Sequence, residues 1–247
     1  MPKIGQEIDD MAIMNVANSN FKFSGVRPEN LESTEYTLVS IVVDKSGSVQ
    51  GFRNELVDSI KAVIESCKHS PRAENLLVRV VFFNEGMEEI HGFLPLADIN
   101  LSAYESLRPY GCTALFDATF ESVGSVLRYS QDLQDQEMDV NGICVIITDG
   151  EDNDSKMTPG MIKKQIEDAL KQETIIESIM TILVGINAGQ SSSYLNRFQN
   201  DANLQQFVDA GDADAKTLAK LAKFVSQSIS SQSQSLGTGG PSKSLSF

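Results

Sequence analysis

Residues 36–43, YTLVSIVV, are apolar at nearly every position and rich in β-branched side chains, the pattern of a strand covered on both faces. The run stops at Asp44. After a Gly/Ser-rich turn, Leu56, Ile60, Val63, Ile64 and Cys67 recur at helical spacing, which predicts a helix over 52–68 closed by His69-Ser70-Pro71. A second strand is predicted at 77–83, and a weaker one at 89–94 that could pair at a sheet edge. Leu115, Thr119, Val123, Val126 and Leu127 predict a helix over 115–129, with Thr113 as its N-cap. The acidic stretch around Asp132, Asp135, Glu137 and Asp139 reads as a solvated loop. Strand 143–148 follows and ends at Asp149-Gly150. A helix near 160–171, a strand near 178–184, a short helix near 192–199, a brief strand near 205–209 and a helix at 215–229 complete the series.

Strands alternating with helices imply right-handed crossovers, hence a doubly wound α/β domain with a mostly parallel central sheet and helices on both faces. In such sheets ligands bind beyond the carboxyl ends of the strands, where the strand order switches, so residues just after each strand become the candidates. The domain is expected to span 36–229. Residues 1–35 form an N-terminal extension in which FKFSGV, at 21–26, could add an edge strand. Beyond Ile229 the chain is rich in Ser, Gln and Gly, and its few apolar groups do not offset the entropy of ordering it, so 230–247 reads as a flexible tail.

The balance of 20 Lys and Arg against 34 Asp and Glu gives a formal charge of −14. This excludes a generic nucleic-acid binder, which needs clustered cations to displace the counterions of a phosphate backbone. No apolar run approaches the roughly 20 residues of a membrane-spanning helix, and the first residues lack the basic-then-apolar pattern of a secretion signal. Cys67, Cys112 and Cys144 show no CxxC or Cys/His metal spacing. A reducing, cytoplasmic compartment is the expectation.

The chemistry gathers after three strands. Asp44-Lys45-Ser46-Gly47-Ser48 places a carboxylate and two hydroxyls at alternate positions of one turn, where they can converge. Oxygen-only donors select a hard cation such as Mg²⁺ or Mn²⁺ over Zn²⁺. The same segment can equally be a turn with N-capping hydroxyls. Thr113 before its helix and Asp149 at the end of its strand have similar plain readings, as an N-cap and an Asp-Gly turn. All three points, however, fall on the carboxyl side of one sheet.

IVVDKSGSV, GCTALFDAT and IITDGEDND resemble the three metal-site segments of the von Willebrand factor A domain family, and the likeness covers roughly 36–228. The wording is similar to that of stand-alone intracellular bacterial or phage members. The resemblance implies Mg²⁺ or Mn²⁺ contacts from Asp44, Ser46, Ser48, Thr113 and Asp149, some through water. It also implies an adhesion-type function in which a protein partner's Asp or Glu completes the metal shell, within a possible larger assembly and without nucleic acid or membrane. Two positions depart from the pattern. Lys45 puts a cation beside the first ligand, with its side chain expected to point away, and Cys112 replaces a common Gly, its thiol expected to act as a small apolar group. Movement of the last helix, 215–229, is a further family trait, set against plain amphipathic packing.

No enzymatic activity is expected. A dehalogenase-type phosphatase would also use an Asp after the first strand, but needs a second carboxylate where this chain has Ser46. No GxGxxG follows a strand. His69 and His91 lie in no nucleophile context and read as surface or turn residues. A structural subunit with a vestigial metal site is the remaining alternative.

Overall fold

A computed structural model describes residues 10–171, 176–239 and 244–247. Eight strands form one sheet in the order β1-β2-β5-β4-β3-β6-β7-β8. They are β1 (Met11–Asn15), β2 (Lys22–Val26), β3 (Glu35–Asp44), β4 (Leu76–Phe83), β5 (Met87–Pro95), β6 (Asp139–Thr148), β7 (Ser178–Ile186) and β8 (Gln206–Gly211). The helices are α1 (Arg53–Lys68), α2 (Leu115–Gln134), α3 (Pro159–Lys171), α4 (Ser192–Asp201) and α5 (Ala215–Thr238). β4, β3, β6, β7 and β8 run parallel, β5 is antiparallel to β4, and β1 is antiparallel to β2.

The continuous apolar character of β3 follows from its central place. Val39, Ile41 and Val43 pack on the face covered by α1 and α5, while Leu38 and Val42 pack on the face covered by α2, α3 and α4. Strand pleating sends alternate residues to opposite faces, so a strand buried on both needs apolar groups at every position. The chain leaves β3 towards β4 on one side and later returns as β6 on the other. The switch point therefore lies at the end of β3, at Asp44.

Several expectations need correction. The strand predicted at 89–94 is longer and lies inside the sheet, between β4 and β2, while β1 forms the edge and FKFSGV supplies the strand next to it. α2 runs on to Gln134, so the acidic loop shrinks to the turn before Asp139. Thr113 is not the N-cap of α2; Ala114 holds that position and makes no side-chain cap. His91 belongs to β5: its Nδ1 bonds Gly92 O at 2.9 Å, its Nε2 lies 2.9 Å from Tyr104 Oη, and burial lowers its pKa to about 4.

The tail expected from 230 is helical through Thr238. Its polar residues are spent inside the fold. Gln232 Nε2 donates to Gly142 O at 3.2 Å and Ser178 Oγ at 3.0 Å, and Asn141 Nδ2 donates to Gln232 O at 2.7 Å. Arg72 Nε donates to Ser233 Oγ at 3.1 Å, and a Cβ at Gly237 would stand 2.0 Å from the same guanidinium. Phe247 returns edge-on to Phe224. Truncation after Ile229 is therefore expected to lower the stability measured by urea denaturation by several kcal/mol, at about 1–3 kcal/mol for each buried group left unpaired. An unchanged midpoint would show that the segment beyond Ile229 adds nothing to the fold.

Candidate metal site

Asp44 closes β3 and is 1% exposed. Its Oδ1 accepts from the Ser46 backbone N–H at 2.7 Å, and its Oδ2 accepts from Thr148 Oγ1 at 2.7 Å. Ser48 Oγ donates to Asp149 Oδ1 at 2.8 Å and lies 3.0 Å from Ser46 Oγ. A hydroxyl carries one proton, so Ser46 is the donor to Ser48. Asp44, Ser46, Ser48 and Asp149 thus form one connected set across the ends of β3 and β6.

Thr113 reaches the same end of the sheet through the backbone. Gly47 N–H donates to Gly111 O at 3.2 Å and Tyr110 N–H to Lys45 O at 2.9 Å, which laces the loop before α2 to the turn after β3. Asn84 Nδ2 donates to Tyr110 O at 3.0 Å. Gly111 has a φ of 77°, the left-handed region, so the turn favours glycine there. Thr113 N–H then donates to Asn153 Oδ1 at 2.8 Å, and Asn153 N–H to Thr113 O at 2.9 Å.

The loop after β6 also covers the start of α2. Phe116 N–H donates to Asp152 Oδ1 at 3.2 Å and Asp117 N–H to Ser155 Oγ at 3.0 Å. Asp117 Oδ1 in turn accepts from Lys156 and Met157 N–H at 2.9 and 2.7 Å. These side chains satisfy helix N-terminal donors that would otherwise be open to a ligand. Thr148, Asn84, Asp152, Asn153 and Ser155 escaped the sequence reading; the polar stretch TDGEDNDS was the only trace of four of them, and Asn84 left none.

The electrostatics are unbalanced. Burial, ahead of the nearby Asp149 charge, raises the Asp44 pKa to about 6 against the hydrogen bonds that lower it. Burial also raises that of Asp149. Lys45 does not compensate, because its Nζ bonds Glu88 Oε2 at 2.7 Å and lies 5.4 Å from the Tyr110 ring centre. It points away, as expected. Among the described residues no cationic side chain pairs with Asp44 or Asp149. Two carboxylates beside hydroxyl oxygens form a donor set that fits a hard divalent cation. Cys112 is exposed rather than packed as a small apolar group, and its N–H donates to Glu85 Oε2 at 3.1 Å.

An open, mostly parallel sheet with carboxylates and hydroxyls gathered beyond its central strand defines a doubly wound α/β domain with a site at the switch point. The sequence matches the von Willebrand factor type A domain over residues 39–227, and the chain belongs to that family. A search of curated proteins gave no match. Among solved structures, a variant of the PilB minor pilin from Streptococcus sanguinis is similar at 15% identity and a TM-score of 0.58, covering 86% of this chain and 65% of that one. Proximal thread matrix protein 1 from the mussel byssus, in a form whose metal-ion-dependent adhesion site is occupied by zinc, is similar at 16% identity and a TM-score of 0.51, covering 79% and 46%. The pilus adhesin SpaC from Lactobacillus rhamnosus GG, in its open conformation, is similar at 12% identity and a TM-score of 0.53, covering 86% and 32%. The chain spans less than two thirds of the length of each. No described helix is long and apolar enough to cross a membrane.

Proposed function

We propose that this protein is a metal-ion-dependent protein-interaction module. Asp44, Ser46, Ser48, Thr113 and Asp149 hold one Mg²⁺ or Mn²⁺, directly or through water, and a partner's Asp or Glu completes its coordination. The observation that carries this reading is the pair of buried carboxylates, Asp44 and Asp149, linked through Ser46 and Ser48 and facing no cationic side chain among the described residues. Such an arrangement is costly in isolation and is relieved by a bound cation. When bound, the ion supplies a positive point of attachment for a carboxylate within an otherwise acidic surface. The protein's own part is to fix the oxygens: Thr148 and the Ser46 N–H orient Asp44, Ser48 orients Asp149, and Asn153 anchors the backbone of Thr113.

A non-catalytic role fits Ser46, whose hydroxyl is a lone-pair donor but a poor general acid for the leaving group of a phosphatase. A reducing setting fits the three free cysteines. Binding of an octaglutamate peptide, followed by calorimetry, is expected in Mg²⁺ and not in EDTA at matched concentration, and to weaken about tenfold or more in Thr113→Ala and Ser46→Ala. Equal binding by wild type in EDTA and in Mg²⁺ would reduce the site to a structural relic. Metal-dependent turnover of p-nitrophenyl phosphate, abolished by Asp44→Asn, would make the protein an enzyme instead.

A further inference from the structure

Beside the metal site, a cavity of about 410 Å³ is lined by Gln50, Arg53, Glu105, Leu107, Arg108 and Pro109. Both guanidiniums on its wall are fixed to the same two carbonyls. Arg53 Nε donates to Leu107 O at 3.0 Å and its Nη2 to Glu105 O at 2.6 Å. Arg108 Nη1 donates to Leu107 O at 2.9 Å and also to Glu105 O. Two cations therefore meet over one pair of oxygens.

Among the described residues the only carboxylate that pairs with either guanidinium is that of Glu105, and it pairs with Arg53. It lies 3.4 Å from Arg53 Nη2 and also takes a bond from Lys61 Nζ, and this Lys61 bond, with help from Arg53, holds its pKa below the usual range. Three cations face one anion, a local surplus of positive charge in a chain of net charge −14. Arg108 makes no ion pair among the described residues, and its Nε and Nη2 are uncommitted. A guanidinium held by its carbonyl bonds on the wall of a cavity, with donors to spare, is pre-organised for a carboxylate or phosphate.

The cavity is tied to the metal site by two stretches of chain. The 3-10 turn Gly47–Phe52 carries Ser48 and then Gln50, with Arg53 opening α1. The segment that supplies Leu107, Arg108 and Pro109 continues through Tyr110 to Thr113. Pro109, half-buried, adds an apolar patch beside the cations, which suits the methylene stem of an acidic side chain.

We infer that this cavity is a second anion site, which holds an acidic side chain of the same partner segment whose carboxylate meets the metal position. The second half rests on the function proposed above, but the anion site itself does not require metal. The test follows the arginine Nε–Hε NMR resonances of the full ¹⁵N-labelled chain, titrated with octaglutamate or with inorganic phosphate. In EDTA, octaglutamate is expected to shift the Arg53 and Arg108 resonances saturably, at much higher concentration than in Mg²⁺. Arg108→Gln, an exposed position, should weaken this binding about fivefold to tenfold with the remaining amide spectrum unchanged. Mg²⁺ should tighten it about tenfold or more, a gain lost in Thr113→Ala. Mg²⁺-dependent peptide binding that leaves both arginine resonances unmoved would overturn the inference and spare the metal reading. Arginine shifts without any Mg²⁺ gain would support the anion site and sink the metal reading. Saturation by phosphate at lower concentration than by the peptide would overturn an acidic segment as the occupant.

Discussion

Asp44→Asn is expected to abolish divalent-cation binding and, in EDTA at neutral pH, to raise the melting temperature above that of the wild type. The two effects have one origin. A carboxyl whose pKa is moved by burial from 3.8 to about 6 is favoured by the fold in its protonated form. That contribution is fully present below about pH 3.8 and is lost as pH rises through about 6. At neutral pH the ionised group therefore destabilises the metal-free protein by up to about 3 kcal/mol. Asparagine keeps the size, removes the charge, and can still accept from the Ser46 N–H. At about 2–4 °C per kcal/mol for a domain of this size, a gain of several degrees is expected in scanning calorimetry. Wild type in EDTA should gain in the same direction between pH 7 and pH 5 from this group, and should bind metal less well there because protons compete for the same oxygen. A variant that melts lower than wild type in EDTA, or still binds metal, would contradict the account.

The second large effect lies in the sheet. Arg79 is 1% exposed in the middle of β4. Its Nη2 and Nη1 bond the Glu121 carboxylate of α2 at 2.6 and 3.0 Å, and its Nε bonds Glu89 of β5 at 2.6 Å. Burial opposes the charge on Arg79, and the two carboxylates more than restore it. Glu89 also accepts from the N–H and Oγ of Ser24 at 3.1 and 2.6 Å, which fastens β2 to the domain. Glu121→Ala leaves a buried guanidinium with half its partners, and a loss of about 3–5 kcal/mol in urea denaturation is expected. Replacing Arg79, Glu89 and Glu121 together by apolar residues of similar volume should recover most of it. A loss below about 1 kcal/mol in the single variant would show that the network is not buried as described.

The parallel centre of the fold was legible because burial on both faces leaves no room for polar residues in β3, β6 and β7, and because Asp44 and Asp149 stand where those runs stop. Elements closer to the edge were harder to read. β1 is only five residues long with Ile13 exposed, so its pattern resembles a loop. The end of α5 was misread because Ser and Gln ordinarily mark solvent, whereas here Gln232 and Ser233 bond strand backbone and Arg72. Arg79 reads as an intrusion in LLVRVVFF, and its partner Glu121 lies 42 positions on.

Within the site, the residue types proposed to hold metal were visible, but the residues that position them were not. Asn153 serves Thr113 from 40 positions away and Thr148 serves Asp44 from 104, separations that no local pattern records. The N-cap expected at Thr113 failed for the same reason, since the first donors of α2 are taken by side chains of the distant 152–155 loop.

Titration of the chelated chain with Mn²⁺, followed by the electron paramagnetic resonance signal of the free ion, tests the central claim most directly. The account predicts loss of free signal corresponding to one Mn²⁺ per chain, recovery of the signal when Mg²⁺ is added, and no loss in Asp44→Asn. A free-ion signal that persists undiminished at millimolar protein, or one that falls equally in Asp44→Asn, would contradict it.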